Sequence, residues 1–182
     1  MDSLTDGIAR ILITEEQIQE RVAELGAQIS CDYKGLNPLL VCVLKGGYVF
    51  LADLTRALTI RHAVDFMAIS SYGASTQSTG VVRILKDLDR DITNRHVLIV
   101  EDIIDTGHTL AYLMENLDVR NPASIRLCTL LNKRCRRVVE MTVDYVGFEV
   151  GDEFVIGYGL DFAEAYRNLP YIAVLKPEMY EK

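Results

Sequence analysis

The 182-residue sequence lacks several features that would place it in a specialised class of protein. It has no low-complexity tract and no visible internal repeat, which argues against a repeat array or a largely disordered chain. It also lacks an excess of basic residues, since 19 Lys and Arg stand against 26 Asp and Glu, a formal net charge of -7. A general attraction to nucleic acid or to an anionic membrane is therefore disfavoured, and any phosphate site must be local.

Two further absences concern the cell compartment. The first residues lack the basic segment, apolar stretch and cleavage site of a secretory signal, and no later run is long and apolar enough to span a membrane. The four cysteines form no C-x-x-C pair, and Cys42 and Cys128 lie in apolar runs that are typical of buried strands. We therefore expect a cytoplasmic protein with reduced thiols and no membrane partner.

What the sequence does contain is an alternation of short apolar runs with amphipathic segments. A capping box begins at Thr14, and apolar residues then recur at helical spacing as far as Ile29. Runs typical of buried strands, such as 39–44 (LLVCVL) and 96–102 (HVLIVED), are each followed by a glycine-containing turn and a helical pattern. This alternation predicts one α/β domain over residues 1–182, with a mostly parallel sheet flanked by helices. Three short strand-like runs in the tail either complete this sheet or form a small lobe beside it.

The segment 100–110, VEDIIDTGHTL, has the position and the composition of a ligand site. It follows a buried strand run, and open parallel sheets bind ligands beyond the carboxyl ends of their strands. Residues 106–109 are expected to present free backbone amides at a helix start, where Gly107 lets the chain approach an anion closely. Three carboxylates share the segment: Glu101, Asp102 and Asp105. Because they would repel a bare phosphate, the ligand should also carry hydroxyl groups or Mg2+, as a phosphorylated sugar can.

Two other interpretations of this segment compete with a sugar-phosphate site. Asp105 or Thr106 could simply cap the helix while the other acids face water. A receiver-like domain would instead use an acidic cluster at strand ends to hold Mg2+ around an Asp that accepts phosphate. A receiver-like domain would require a lone lysine late in the chain and would have no threonine-rich phosphate turn. The remaining motifs of the sequence decide between these interpretations and a sugar-phosphate site.

Several separate segments together resemble one family. VEDIIDTGHTL is similar to the phosphoribosyl-pyrophosphate (PRPP) motif of type I phosphoribosyltransferases, and most similar to that of hypoxanthine-guanine phosphoribosyltransferases. Further motifs follow the family's order: LKGGYVF (44–50), SSYG (70–73), Lys133-Arg134, DYVGFEV (144–150) and FVIGYGLDFAEAYRNLPYI (154–172). The resemblance implies the type I phosphoribosyltransferase fold, in which N-terminal and C-terminal segments form a small hood lobe beside the sheet.

The same resemblance implies roles for the acidic segment. Glu101 and Asp102 would bind the ribose hydroxyls of PRPP, directly or through Mg2+. Asp105 would face the purine N7 and exchange a proton with it. The turn around the 5-phosphate would consist of Asp105, Thr106, Gly107, His108 and Thr109, with no role for the His108 side chain.

A second strand end supplies the implied pyrophosphate site. By resemblance, Lys45 and Gly46 contact the pyrophosphate together with Arg167, and the peptide between Leu44 and Lys45 is cis. Without the resemblance, this stretch would be interpreted as an ordinary Gly-Gly turn with a solvated lysine.

The implied base site lies late in the chain. Lys133 would donate a hydrogen bond to O6 of the base, Phe154 would stack on the purine, and the backbone of Val155 would contact the base edge. Asp161 would lie near the purine and a second Mg2+. Taken alone, KRCRR is typical of a solvated basic loop, Phe154 of a core residue, and Asp161 with Arg167 of a surface pair.

The segment SSYGASTQSTG is rich in Ser, Thr and Gly, which by itself favours a disordered surface loop. In the family, this loop closes over the reacting centre with Ser71 and Tyr72 at its base, and closure would keep water from the reactive sugar carbon.

The reaction implied by the resemblance is transfer of phosphoribose from PRPP to hypoxanthine or guanine, giving IMP or GMP and pyrophosphate with Mg2+ as the cofactor. The expected partners are PRPP, a 6-oxopurine base and further copies of the chain in a homodimer or homotetramer. Two alternatives stay open: a PRPP-binding transcriptional regulator on the same fold, and a sister enzyme that prefers xanthine. A regulator would need a basic nucleic-acid face or an added DNA-binding segment, which the net charge disfavours.

Overall fold

The computed structural model describes residues 5–71 and 82–180. Its α-helices in these ranges are α1 (Glu15–Asp32), α2 (Tyr48–Ala57) and α3 (His108–Asp118). Its strands in these ranges are β1 (Ile8–Ile13), β2 (Leu39–Leu44), β3 (Ala63–Ser71), β4 (Val82–Lys86), β5 (His96–Ile104), β6 (Ser124–Asn132), β7 (Tyr145–Glu149), β8 (Val155–Ile156) and β9 (Ile172–Leu175). Short 3-10 turns cover Arg134–Arg136 and Pro177–Met179. Across these ranges, every helix is too short or too polar to cross a membrane.

The larger sheet has the strand order β4-β3-β2-β5-β6-β7. All of its neighbouring strands are parallel except β3 and β4, which confirms the predicted mostly parallel sheet. The chain leaves β2 toward one side of the sheet, to β3, and leaves β5 toward the other side, to β6. The carboxyl ends of β2 and β5 therefore form a topological switch point, the place where open α/β sheets bind ligands.

Strand β2 shows why the centre of this sheet is rigid. Its residues alternate between two hydrophobic layers: Leu40 and Cys42 pack in the core that contains α1 and α2, while Leu39 and Val41 pack in the core that contains Leu113 of α3. Helices thus cover both faces, which explains the continuous apolar run LLVCVL. The ends of the strands, and not their faces, are left for a ligand.

Helix α1 begins as the sequence predicts. The Thr14 side chain accepts a hydrogen bond from the Gln17 amide at 3.3 Å, and the Gln17 side chain accepts one from the Thr14 amide at 2.9 Å. The predicted apolar positions are all buried: Ile18, Val22, Leu25 and Ile29.

A second sheet is antiparallel and has the order β1-β9-β8. The tail therefore divides, since β7 extends the larger sheet while β8 and β9 belong to the smaller one. Strand β1 was not predicted, because residues 9–11 are exposed and give no clear apolar alternation. The smaller sheet, called the hood from here on, combines segments from both ends of the described chain. That residues 1–182 form a single domain stays a prediction.

Candidate active site

A cavity of about 260 Å3 lies at the switch point, between the ends of β2 and β5. The turn after β2 forms one wall, and the end of β5 with the start of α3 forms the other. Eight predicted site residues line it: Lys45, Gly46, Glu101, Asp102, Asp105, Thr106, Gly107 and Thr109. Motifs more than 50 residues apart in sequence are thus brought to one place.

Two acidic side chains at the end of β5 occupy an environment that penalises negative charge. Glu101 is only 8% exposed, and this burial raises the pKa of its carboxyl well above the ordinary value, with a further contribution from the neighbouring charge of Asp102. Burial also raises the pKa of Asp102 to about 6, although the backbone amide of Ile103 opposes the shift with a 2.8 Å hydrogen bond to Oδ1. A cation or a set of ligand hydroxyls beside these carboxylates would relieve that penalty.

The turn after β2 is packed against Asp102. A Cβ atom on Gly46 would overlap Oδ2 of Asp102, so the carboxylate occupies the space that any other side chain would need. The peptide between Leu44 and Lys45 is cis, as the family resemblance implies. The Lys45 side chain is 67% exposed, as a solvated lysine would be, and the contact of this turn with pyrophosphate stays a prediction.

The turn from Asp105 to Thr109 leaves its amides available. Gly107 is the N-cap of α3 with φ 90°, and no side chain caps the helix, so the interpretation of Asp105 or Thr106 as a cap is wrong. Within the described ranges, the backbone amides of residues 106–109 donate no hydrogen bond to protein, and the first helical bond runs from Ala111 to the Gly107 carbonyl. Free amides at a helix N-terminus bind anions, and the positive φ at Gly107 permits this shape.

The segment after β6 supports this turn from behind. The amides of residues 138–139 both donate to the Thr106 carbonyl, at 3.0 and 3.1 Å, and Arg137 Nε donates to the Asp105 carbonyl at 3.2 Å. Arg136 Nε lies 3.3 Å from Oδ1 of Asp105. Sequence reasoning missed these residues, because KRCRR alone is typical of a solvated loop. The sequence offered one signal for a role at the site: the basic residues of this run follow directly on Lys133, which the resemblance assigns to the base.

Lys133 connects the acidic turn to the hood. Its amide donates to the Ile104 carbonyl at 2.9 Å, and its Nζ donates to the Glu153 carbonyl at 2.7 Å. The residue is only 6% exposed, so the solvated-loop interpretation is wrong for it. A buried ammonium group thus lies next to the residue that precedes Phe154.

The ring of Phe154 is held from two directions. Phe162 meets its edge with ring centroids 5.7 Å apart and an interplanar angle of 90°, and Tyr180 stacks on it at 5.0 Å and 24°. Phe154 itself is half-buried and packs on the hood core, and Val155 is buried in β8. Among the described residues, Tyr180 is the aromatic side chain that stacks on Phe154, so the predicted stacking of a purine on this ring stays a prediction.

Asp161 and Arg167 form an ion pair of 2.8 Å in the turn that follows β8. Arg167 also donates from Nη1 to the Gly159 carbonyl at 2.7 Å. The pair is half-buried. Both of its charges reach Asp102 in the cavity: the positive charge of Arg167 lowers the pKa of Asp102, and the negative charge of Asp161 raises it. Asp161 and Arg167 therefore lie beside the acidic end of β5.

Glu164 is a residue of this turn to which the sequence assigned no role. Its carboxylate lies 3.1 Å from Lys45 Nζ and 3.6 Å from Arg167 Nη2. It thus contacts both of the cations that the resemblance assigns to pyrophosphate.

The remaining predicted positions lie outside the cavity. The lining does not include the exposed side chain of His108, nor Lys133, Phe154, Val155, Asp161 and Arg167. Ser71 is the last residue of β3, and Tyr72 lies outside the described residues. The closing role of that loop stays a prediction.

The carboxylates fit a metal ion that binds together with substrate. In the described part of the chain, no three His, Cys, Asp or Glu side chains form a cluster that could hold a metal by themselves. Mg2+ usually takes one or two carboxylates plus water and substrate phosphates, so the buried Glu101 and the half-buried Asp102 are a suitable anchor.

Comparison with known proteins agrees with this geometry. Residues 13–163 match the family model of the phosphoribosyl transferase domain. The chain is 51% identical to a hypoxanthine-guanine phosphoribosyltransferase of Mycobacterium avium, covering 96% of this chain and 89% of that one. It is 52% identical to the enzyme of that name from Bacillus subtilis, covering 96% and 97%. The crystal structure of a hypoxanthine phosphoribosyltransferase from Staphylococcus aureus superimposes with a TM-score of 0.95 at 46% identity, covering 100% of both chains.

Proposed function

The chain belongs to the hypoxanthine-guanine phosphoribosyltransferase family, and on that premise we propose that it couples PRPP to 6-oxopurine bases. It is a purine-salvage transferase with the fold of the type I phosphoribosyltransferases. One observation carries the assignment of its site. The turn 106–109, whose amides are free, meets the buried carboxylate of Glu101 and the half-buried carboxylate of Asp102 at one cavity, at the switch point of the sheet. A ligand that carries both a phosphate and neighbouring hydroxyls matches this arrangement.

The donor site follows from these groups. The turn from Asp105 to Thr109 holds the 5-phosphate of PRPP, while Glu101 and Asp102 hold the ribose hydroxyls, directly or through Mg2+. Glu101, Asp102 and Asp161 would hold Mg2+, which would supply positive charge beside the departing pyrophosphate. Lys45 and Arg167 add positive charge on that side.

The base site lies between the acidic turn and the hood. Phe154 stacks on the purine, and Lys133 donates to O6, which an adenine amino group in its place cannot accept. A buried donor facing another donor gives discrimination on the order of 10^4. The backbone of Val155 contacts the base edge.

The reaction forms one bond and breaks one. The purine N9 attacks C1 of PRPP, the bond from C1 to the pyrophosphate oxygen breaks, and pyrophosphate leaves with the bonding electrons. Asp105 takes up or returns a proton at the purine N7 as the charge of the imidazole ring changes. The loop with Ser71 and Tyr72 at its base excludes water from the developing oxocarbenium ion.

The decisive experiment is a PRPP- and Mg2+-dependent assay with hypoxanthine, guanine, xanthine and adenine in parallel. We expect turnover of hypoxanthine and guanine and none of adenine. Turnover of adenine but not hypoxanthine would contradict the role of Lys133. A clear preference for xanthine would identify the sister enzyme, and binding of PRPP without turnover of any base would favour the transcriptional regulator.

Two wider properties belong to the same proposal. A homodimer or homotetramer is expected from the family resemblance, and light scattering on the purified protein measures it. A cytoplasmic location agrees with the four cysteines, which are all free thiols.

A further inference from the structure

The turn between Asp161 and Arg167 contains a carboxylate that the reaction does not use. We propose that Glu164 stands in for pyrophosphate in the free enzyme, so that it holds Lys45 and Arg167 until the incoming pyrophosphoryl group displaces it. This inference rests on the proposed function, because it assigns both cations to the pyrophosphate site.

The geometry brings two cations to one carboxylate. Lys45 Nζ lies 3.2 Å from Oε1 and 3.1 Å from Oε2 of Glu164, and Arg167 Nη2 lies 3.6 Å from Oε2. Lys45 and Glu164 are 119 residues apart in the sequence, so the contact is not a local helix pair. It connects the turn after β2 with the turn after β8, the two segments that have to hold the leaving group.

The backbone of the turn supports a specific placement of Glu164. Ala163, Glu164 and Tyr166 have φ values of 52°, 64° and 76°, a region that residues other than glycine rarely adopt. The Asp161 carboxylate accepts a 2.9 Å hydrogen bond from the Glu164 amide, which fixes this shape. Such unfavourable conformations persist where surrounding structure imposes them, often at functional sites.

The ion pairs around Glu164 are suited to exchange. The side chains of Lys45 and Glu164 are both 67% exposed, and exposed pairs of this kind contribute little. Pyrophosphate carries more negative charge and more acceptor oxygens than one carboxylate, so it competes successfully for the same cations. Arg167 keeps its half-buried bond to Asp161 and its position during the exchange.

A competing carboxylate weakens the binding of pyrophosphate and of PRPP. Removing its charge should therefore tighten both, by about 3- to 10-fold if each released pair has the usual strength of an exposed pair. We expect the variants Glu164→Gln and Glu164→Ala to bind pyrophosphate more tightly in calorimetric titrations with Mg2+ present. The KM for PRPP should fall to a similar extent, while the KM for hypoxanthine stays unchanged.

The matched control is Glu24→Gln, which removes another exposed carboxylate that is paired with an arginine, Arg21, outside the cavity. It should leave pyrophosphate affinity unchanged. The double variant Lys45→Gln/Glu164→Gln tests the cause, because the gain should largely disappear when Lys45 is no longer there to be released.

The outcomes distinguish a failure of this inference from a failure of the proposed function. If the wild-type enzyme converts hypoxanthine but the Glu164 variants bind pyrophosphate no more tightly, this inference is wrong and the proposed function stands. Weaker binding by the variants would show that Glu164 positions the cations and does not compete for them, which also overturns it. A wild-type protein that neither binds pyrophosphate nor converts a base would overturn both.

Discussion

The acidic turn after β5 and the hood-side turn after β8 differ in how far their polar groups are paired within the protein. In the acidic turn, the amides of residues 106–109 have no protein acceptor within the described ranges, and Glu101 and Asp102 are held where charge is penalised. On the hood side, each cation already has a protein partner: Lys133 has the Glu153 carbonyl, Arg167 has Asp161, and Lys45 has Glu164.

The two turns therefore differ in how much binding free energy they gain from a ligand. A sugar phosphate that enters the acidic turn pairs with amides that have no protein acceptor, so no contact within the protein has to be broken. A ligand entering the hood side exchanges one partner for another, so the net gain is smaller and depends on the difference between the two partners. We therefore expect the acidic turn to supply most of the affinity, and the hood-side turn to supply selection and release.

The largest expected effect comes from neutralising the acidic turn. Asp102→Asn should lower kcat/KM for PRPP by on the order of 10^2-fold, because a charged group that faces the ligand is lost. The same change should stabilise the ligand-free protein at pH 8 by roughly 1–3 kcal/mol, since one pKa unit corresponds to about 1.4 kcal/mol. Steady-state kinetics and thermal unfolding of the ligand-free protein measure the two effects.

The pH dependence gives the sign of this stability effect. The pKa of Asp102 in the folded state is about 6, above the ordinary 3.8, so between these values the folded state binds the proton more tightly than the unfolded state. The stability of the wild type should therefore fall as pH rises through that window, and the gain of Asp102→Asn should vanish below it. As a control, Asp91 has a pKa lowered by hydrogen bonds from Thr93, so Asp91→Asn should give no gain. If Asp102→Asn were less stable than the wild type at pH 8, the claim that the acidic turn penalises the charge of Asp102 would be contradicted.

A smaller effect is expected where the phosphate turn needs glycine. In Gly107→Ala, the new Cβ would adopt φ 90° and lie 2.9 Å from Met141 Cε, so the amides should shift and the KM for PRPP should rise about 10-fold. Gly35→Ala is the matched control, because Gly35 has φ 81° with no atom near its Cβ position. Both variants should lose about 1 kcal/mol of stability from the positive φ, but only Gly107→Ala should lose activity. Equal kinetic loss in both would show that the strain, and not the phosphate turn, is responsible.

The smallest expected effect lies in the hood. Tyr180→Ala removes the ring that stacks on Phe154, so Phe154 should hold the purine less firmly and the KM for hypoxanthine should rise about 3-fold. Tyr180→Phe keeps the stack and should behave as the wild type, and the KM for PRPP should be the same in all three proteins. A lower KM for hypoxanthine in Tyr180→Ala would mean that Tyr180 occupies the face that the base needs.

The acidic turn and the hood also differ in how far the sequence predicts their structure. The acidic turn follows a continuous apolar run and precedes a helical pattern, so its place at a strand end can be derived from periodicity and from the position of Gly107. The hood depends on features without such a pattern. Strand β8 has only two residues, β1 is largely exposed, and the left-handed conformation at Ala163 and Glu164 does not involve glycine.

Contacts between distant residues were also beyond sequence reasoning. Family resemblance supplied the roles of Lys133 and Phe154, and the cis peptide at Leu44–Lys45 that the structure contains. It did not supply the contact of Glu164 with Lys45, because side-chain pairing across 119 residues depends on how the two sheets are placed.

The pairing of β1 with β9 joins Ile8 to Leu175, and Ile13 to Ile172. The larger sheet can assemble from segments that are near one another along the chain, whereas this pairing has to close a loop of nearly the whole polypeptide, which is entropically unfavourable and slow. We therefore expect the sugar-phosphate site to form before the base site during folding. A partly folded molecule would then hold its donor substrate with no acceptor beside it.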